Sequence, residues 1–137
     1  MNTTQFESLC GQAAASLSLS DPGALSRGEL VHVNGVWLSA RPTDLPFEGV
    51  NFVMDVGPLP STNREAVLEA LLVQQTLLMG DLCGHFHLNE DGNRLLFASV
   101  VPVVGEVTGD ELAASLQGWS EVVQAWRQVQ LPLEVTT

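Results

Sequence analysis

The chain has no lysine. All five basic residues are arginines, set against sixteen acidic ones in 137 residues, for a formal net charge of -11. That balance works against binding nucleic acid or an anionic membrane surface, since both need cationic contacts. Cysteine is nearly absent as well. Cys10 and Cys83 stand far apart in largely apolar settings, which gives no disulfide framework and fits a reduced, cytosolic protein. No apolar run is long enough to cross a membrane, and the opening MNTTQFESLC lacks the basic region and apolar core of a secretory signal. Also missing are G-x-S-x-G, a phosphate-binding glycine loop, G-x-G-x-x-G and H-E-x-x-H. The carboxylate pairs Glu90-Asp91 and Asp110-Glu111 fall in a turn and at a helix start, where they serve the turn and the helix dipole. The expectation is a protein without an active site: no enzyme, no cofactor, no small-molecule substrate.

What is present reads as a single domain over Met1–Thr137. Thr4 to Leu17 has helical spacing in Phe6, Leu9, Cys10, Ala13, Ala14 and Leu17, with Thr4 and Glu7 as a capping box. Ser18 to Gly28 is a loop. Leu30–Val33 and Val36–Ala40 are short strands joined by Asn34-Gly35, a two-residue turn needing positive φ at both positions. Arg41 to Glu48, with Pro42 and Pro46, reads as a connection. Val50 to Val56 alternates, with Val50, Phe52, Met54 and Val56 on one face. After the central helix come strands at Asp81–Leu88 and Arg94–Val101, joined by a turn containing Gly92. A final helix is capped by Thr108 and Glu111 and carries Leu112, Leu116, Trp119, Val123 and Trp126 inward. It ends before Pro132. The order is α-β-β-β-α-β-β-α, an α+β fold with helices packed on a twisted antiparallel sheet.

The rest of the chain is organised around the central helix, Ser61 to Gly80, opened by Thr62 and Glu65 and closed by Gly80. Its apolar arc spans roughly 260°, where a helix lying on its own core needs about 100°. Either the helix is buried on all sides within one chain, or a second copy covers what the sheet leaves open. The shortage of other elements favours a homodimer.

Two further constellations have a functional and a plain reading. Cys83, His85 and His87 alternate onto one strand face, and a thiolate with two imidazoles has the makings of a zinc site. No fourth ligand lies nearby in sequence, and a semi-polar sheet face packed at an interface accounts for the same residues. Phe86 and Leu88 should point the other way, into the core. Trp37, two residues after the Asn-Gly turn, stands with Val36 and Leu38 where a strand edge would receive an extended peptide. Ordinary sheet packing explains them equally well.

The order of elements, the size and the acidity resemble the class I chaperones of bacterial type III secretion, the Tir chaperone family. The resemblance runs from Phe6 to Trp126. Its most specific part is Gly57-Pro58-Leu59-Pro60, then Leu71-Leu72, then Gly84-His85-Phe86-His87-Leu88-Asn89 with Gly92. It implies a homodimer in the bacterial cytoplasm that holds the N-terminal segment of a secreted effector in extended form. It further implies a dimer contact from Val67, Leu68, Leu71, Leu72, Leu78 and Met79 with His85 and His87. Client grooves would come from Phe6, Leu9 and Ala13 on the first helix and from Val36, Trp37 and Leu38 on the first strands. The rival reading is a small ligand-binding or regulatory α+β domain, with Cys83, His85 and His87 as its candidate metal ligands.

Overall fold

The structure, a computed structural model, describes residues 1–45, 47–78, 84–103 and 105–130. In chain order these form α1 (Thr3–Ser16), β1 (Val31–Val33), β2 (Val36–Thr43), β3 (Gly49–Pro58), α2 (Arg64–Leu78), β4 (His85–Leu88), β5 (Arg94–Pro102) and α3 (Gly109–Ala125). A π-helical turn, Trp126–Gln130, prolongs α3. The strands make one antiparallel sheet in the order β1-β2-β3-β5-β4. This is the expected α+β arrangement. Gly80, Met79 and Asp81–Cys83 lie outside the described residues, as does the tail from Leu131.

Alternation divides the sheet into two faces. Val36, Leu38, Val50, Phe52, Met54, Val56, Leu95 and Phe97 are buried on one of them. Against that face α3 lays its tryptophans. Trp119 stacks near Phe52 and Phe97, with ring centroids 6.2 and 4.8 Å apart, and Trp126 sits 5.0 Å from Phe97 and 5.1 Å from Phe86. Aromatic pairs at such spacings add to the burial of their area. Leu112, Leu116 and Val123 complete the α3 face.

α1 packs on α3 rather than on the sheet centre. Gly109 opens α3 where a Cβ would collide with the Gln12 side chain and the α1 backbone. The close crossing is fixed by Gly109 N–H donating to Gln12 Oε1 at 3.1 Å and by a hydrogen bond between Ser16 and Asp110.

The helix starts test the capping signals one by one. Thr108 does cap α3, its side chain accepting from Glu111 N–H at 3.2 Å. α1 begins earlier than its Thr4 signal: Asn2 is the cap, in a reciprocal box with Gln5. The start of α2 is displaced too. Asn63, at φ 56°, stands just before the helix, and its carbonyl accepts from Val67 N–H.

The Asn34-Gly35 turn is as expected, with φ 48° and 78°. β2 runs further than expected, through Pro42 to Thr43. β1 pairs only with Val36–Leu38, so from Ser39 onward β2 has no neighbour on that side among the described residues, and an edge tolerates proline. The Ser18–Gly28 segment is a loop, but it inserts Leu25, fully buried, and Ala24 into the core.

Candidate binding surfaces

The two outer strands of the sheet border two different surfaces. The first lies between α2 and β4. Among the described residues of the wide apolar arc on α2, Val67 and Leu71 are buried and Leu68 partly so. Leu72 and Val73 are 66% and 63% exposed. Among the described residues the helix is thus not enclosed, and the reading in which one copy buries it on all sides is corrected: α2 lies at the β4 margin with Leu72 and Val73 open on its outer side.

Between α2 and β4 runs a groove of about 250 Å³, lined by Leu68, Leu71, Leu72, Gln75, Phe86, His87, Leu88 and Leu95. Four of the residues expected at the dimer contact, Leu68, Leu71, Leu72 and His87, therefore converge on one groove. Val67 faces the core beside them, and His85 is exposed on β4. Met79 lies outside the described residues, and the Leu78 side chain likewise. Gln75, which interrupts the apolar arc, ties α2 to the strand, its Oε1 accepting from Phe86 N–H at 2.5 Å. Leu88 corrects an expectation. It is 42% exposed rather than in the core, because β4 is the outermost strand and α2 covers that end only in part.

His85 and His87 meet edge to face with ring centroids 4.2 Å apart. Partial burial, and then the neighbouring His85, hold the His87 imidazole below its ordinary pKa. Among the described residues no three His, Cys, Asp or Glu side chains are gathered closely enough to hold a metal ion. Cys83, the third member of the proposed row, lies outside them. Cys10 is fully buried on α1, and burial pushes its thiol up to about 12. A thiol so held is a packing group.

The second surface is the β1–β2 hairpin. Trp37 is 48% exposed and lies opposite His32, with ring centroids 4.8 Å apart. Val36 and Leu38, on either side of it, are fully buried, as strand alternation requires. Phe6, Leu9 and Ala13 are also buried in the core. Of the six residues expected to hold a client, Trp37 alone presents its side chain openly. β2 is also not the outermost strand; that place belongs to β1 and His32. A groove does run beside α1, about 610 Å³ in volume, with Gln5, Ser8, Gln12 and Glu48 around a floor of Leu9, Val103 and Val107. Its walls are polar, and the Glu48 carboxylate in it is paired with the chain's N-terminal amine.

Sequence reasoning missed Leu88 and Leu95 as groove residues, and it missed Arg127. The Arg127 guanidinium donates from Nε to the Val56 carbonyl at 2.7 Å, from Nη2 to Asp55 at 2.7 Å and from Nη1 to Gly35 at 2.9 Å. No motif announces such a contact, because its acceptors are backbone atoms.

No helix among the described residues is long and apolar enough to cross a membrane. No protein-family model matches the chain, and no curated protein matches it in sequence. Solved structures do. A chain of the ExsC-ExsE complex superposes with a TM-score of 0.72 at 13% identity, over 96% of this chain and 98% of that one. A chain of the HopA1-SchA chaperone-effector complex gives a TM-score of 0.50 at 15% identity, over 93% and 96%. At such identities the likeness is one of fold. The chain shares its whole architecture with these two proteins, as the resemblance of its central block implies.

Proposed function

We propose that the protein is a cytoplasmic chaperone of bacterial type III secretion, a homodimer that binds the N-terminal segment of an effector in extended form and keeps it ready for export. The observation that carries this reading is the apolar surface left open at the α2–β4 margin, with Leu72 and Val73 exposed on a chain of net charge -11. Isolated exposed apolar residues are ordinary. A contiguous apolar groove beside an uncovered helix face is a surface for protein contact.

The fold likeness to a chaperone-effector complex supports the same reading. So does the resemblance of the Gly57–Pro60, Leu71-Leu72 and Gly84–Asn89 stretches. In this reading Leu68, Leu72 and Val73, with Leu78, Met79, His85 and His87, meet the second copy, while Val67 and Leu71 hold the helix that presents them. The Trp37 edge receives the client. A disordered client must recover its ordering entropy from burial, so extended apolar and main-chain contact suits it better than a few polar bonds. No step of such a function is catalytic.

The test is co-expression with the product of the neighbouring reading frame, since chaperone and client of this kind are often encoded together. A stable complex in which an N-terminal client segment resists protease supports the proposal. Absence of any complex, or protection of a folded client domain instead, refutes it.

A further inference from the structure

The β1–β2 hairpin is seated in the core by Val31, Val33, Val36 and Leu38, but the tip that carries Trp37 has few ladder bonds. β1 contributes three residues, and the β2–β3 ladder stops at Leu38–Met54. Beyond that pair the tip, Val33–Trp37, pairs within the hairpin but not with β3 among the described residues. β3 is itself irregular there: its register against β5 shifts between Asp55 and Gly57, which leaves Val56 as the extra residue of a bulge. Carbonyls at such a place need another donor.

α3 supplies it. Arg127 spends three N–H groups on the carbonyls of Asp55, Val56 and Gly35, so that one planar side chain joins the bulge to the turn. One turn of helix earlier, Gln124 Nε2 donates to the Asn34 carbonyl at 2.8 Å. Both residues of the two-residue turn are therefore held from α3. Gly35 is favoured by its φ of 78°, and a Cβ there would displace the Gln124 amide from its place at the turn.

We propose that Arg127, assisted by Gln124, is the positioning residue of the client-binding edge: it replaces the missing β2–β3 ladder and fixes the hairpin that displays His32 and Trp37. The client half of this inference rests on the proposed function; the clamp itself rests on the contacts alone. A lysine cannot reproduce it, because a single ammonium cannot reach three carbonyls in the plane of a guanidinium.

The experiment combines hydrogen exchange on the free protein with binding of the full-length product of the neighbouring reading frame. In Arg127→Gln and Arg127→Lys, amides of residues 31–38 should exchange about tenfold faster or more, while those of β5 and α1 stay unchanged, since loss of hydrogen bonds from a charged donor loosens only the segment it holds. Gln124→Ala, which removes one bond, should act in the same place more weakly and keeps the test open if the arginine variants fold poorly. Client affinity should fall about tenfold in Arg127→Gln, yet by less than about twofold when Trp37→Ala is already present, because the two act through one edge. Unchanged exchange at 31–38, or an increase spread evenly over the chain, overturns the clamp. Localised exchange with unchanged client affinity overturns its role in binding. If the wild type binds no client, the proposed function fails and the client half fails with it, whereas the exchange result still decides the clamp.

Discussion

Leu72→Gln separates a paired chain from a solitary one. Leu72 is 66% exposed on the outer side of α2. In a monomer its replacement is a surface change worth about ±0.5 kcal/mol. If a second copy covers it, about two thirds of the 1.5–3 kcal/mol released by burying a leucine is at stake, or roughly 1–2 kcal/mol per copy. A two-fold axis doubles that to roughly 2–4 kcal/mol per dimer. At 1.4 kcal/mol per decade, the dissociation constant should rise between about 30-fold and about 700-fold. Glutamine is preferred to glutamate because Glu69 stands three residues away on the same helix, where a like charge would destabilise the helix for a separate reason. Leu71 would be a poor choice: it is buried in the chain's own core, so its replacement by a polar residue unfolds the protein and says nothing about pairing. Sedimentation velocity over a dilution series measures the constant, and a thermal melt confirms that the fold is intact. A wild type that is monomeric at micromolar concentration, or a Leu72→Gln variant with an unchanged constant, refutes the reasoning.

Other outcomes follow from single contacts. In a Cys83→Ser background Cys10 should resist iodoacetamide at pH 8 and react on unfolding, because burial holds its thiol near 12; rapid native labelling would contradict the packing described. Thr108→Ala should cost about 1 kcal/mol in a urea titration through loss of the α3 cap, whereas Thr4→Ala, at a position that does not cap α1, should cost much less. His87 is held below its ordinary value of 6.5, so the unfolded chain takes up its proton first as pH falls. Its contribution to stability is therefore complete above about pH 6.5 and is lost as pH drops from there through the lower native value. His87→Gln should flatten that part of the stability profile; an unaltered slope would show that His87 titrates normally.

The elements that were legible in the sequence are those in which a local signal and the tertiary pattern agree. Thr108 and the Leu112–Val123 spacing point to the same helix, and Asn34-Gly35 lies between two alternating runs. α1 reads from Thr4 with Glu7, whereas the structure caps it two residues earlier with the same kind of box, Asn2 with Gln5. The course of β2 through Pro42 depends on β1 being too short to flank it, which is a property of the sheet and not of residues 41–43. Val36, Trp37 and Leu38 cannot all face a client, since alternation sends the middle one opposite to its neighbours; that much was readable. Which of the two faces is open depends on where α3 lies. The surplus width of the α2 apolar arc was legible as a pattern, whereas the groove it forms with Leu88 and Leu95 needed the strand order. Arg127 was beyond reach, because its partners are carbonyls at a bulge and a turn brought together only by the fold.

The central claim is that this chain holds an unfolded segment of another protein along its open edges. Limited proteolysis of the co-expressed complex, with the surviving client fragment identified by mass spectrometry, tests it most directly. The expected product is an N-terminal client fragment of some tens of residues, about the length an extended chain at roughly 3.3–3.6 Å per residue needs to travel around a small dimer. Trp37→Ala should shorten or abolish that fragment while the dimer persists. A client digested completely in the presence of the protein, or a fragment that Trp37→Ala leaves untouched along its whole length, would contradict the claim.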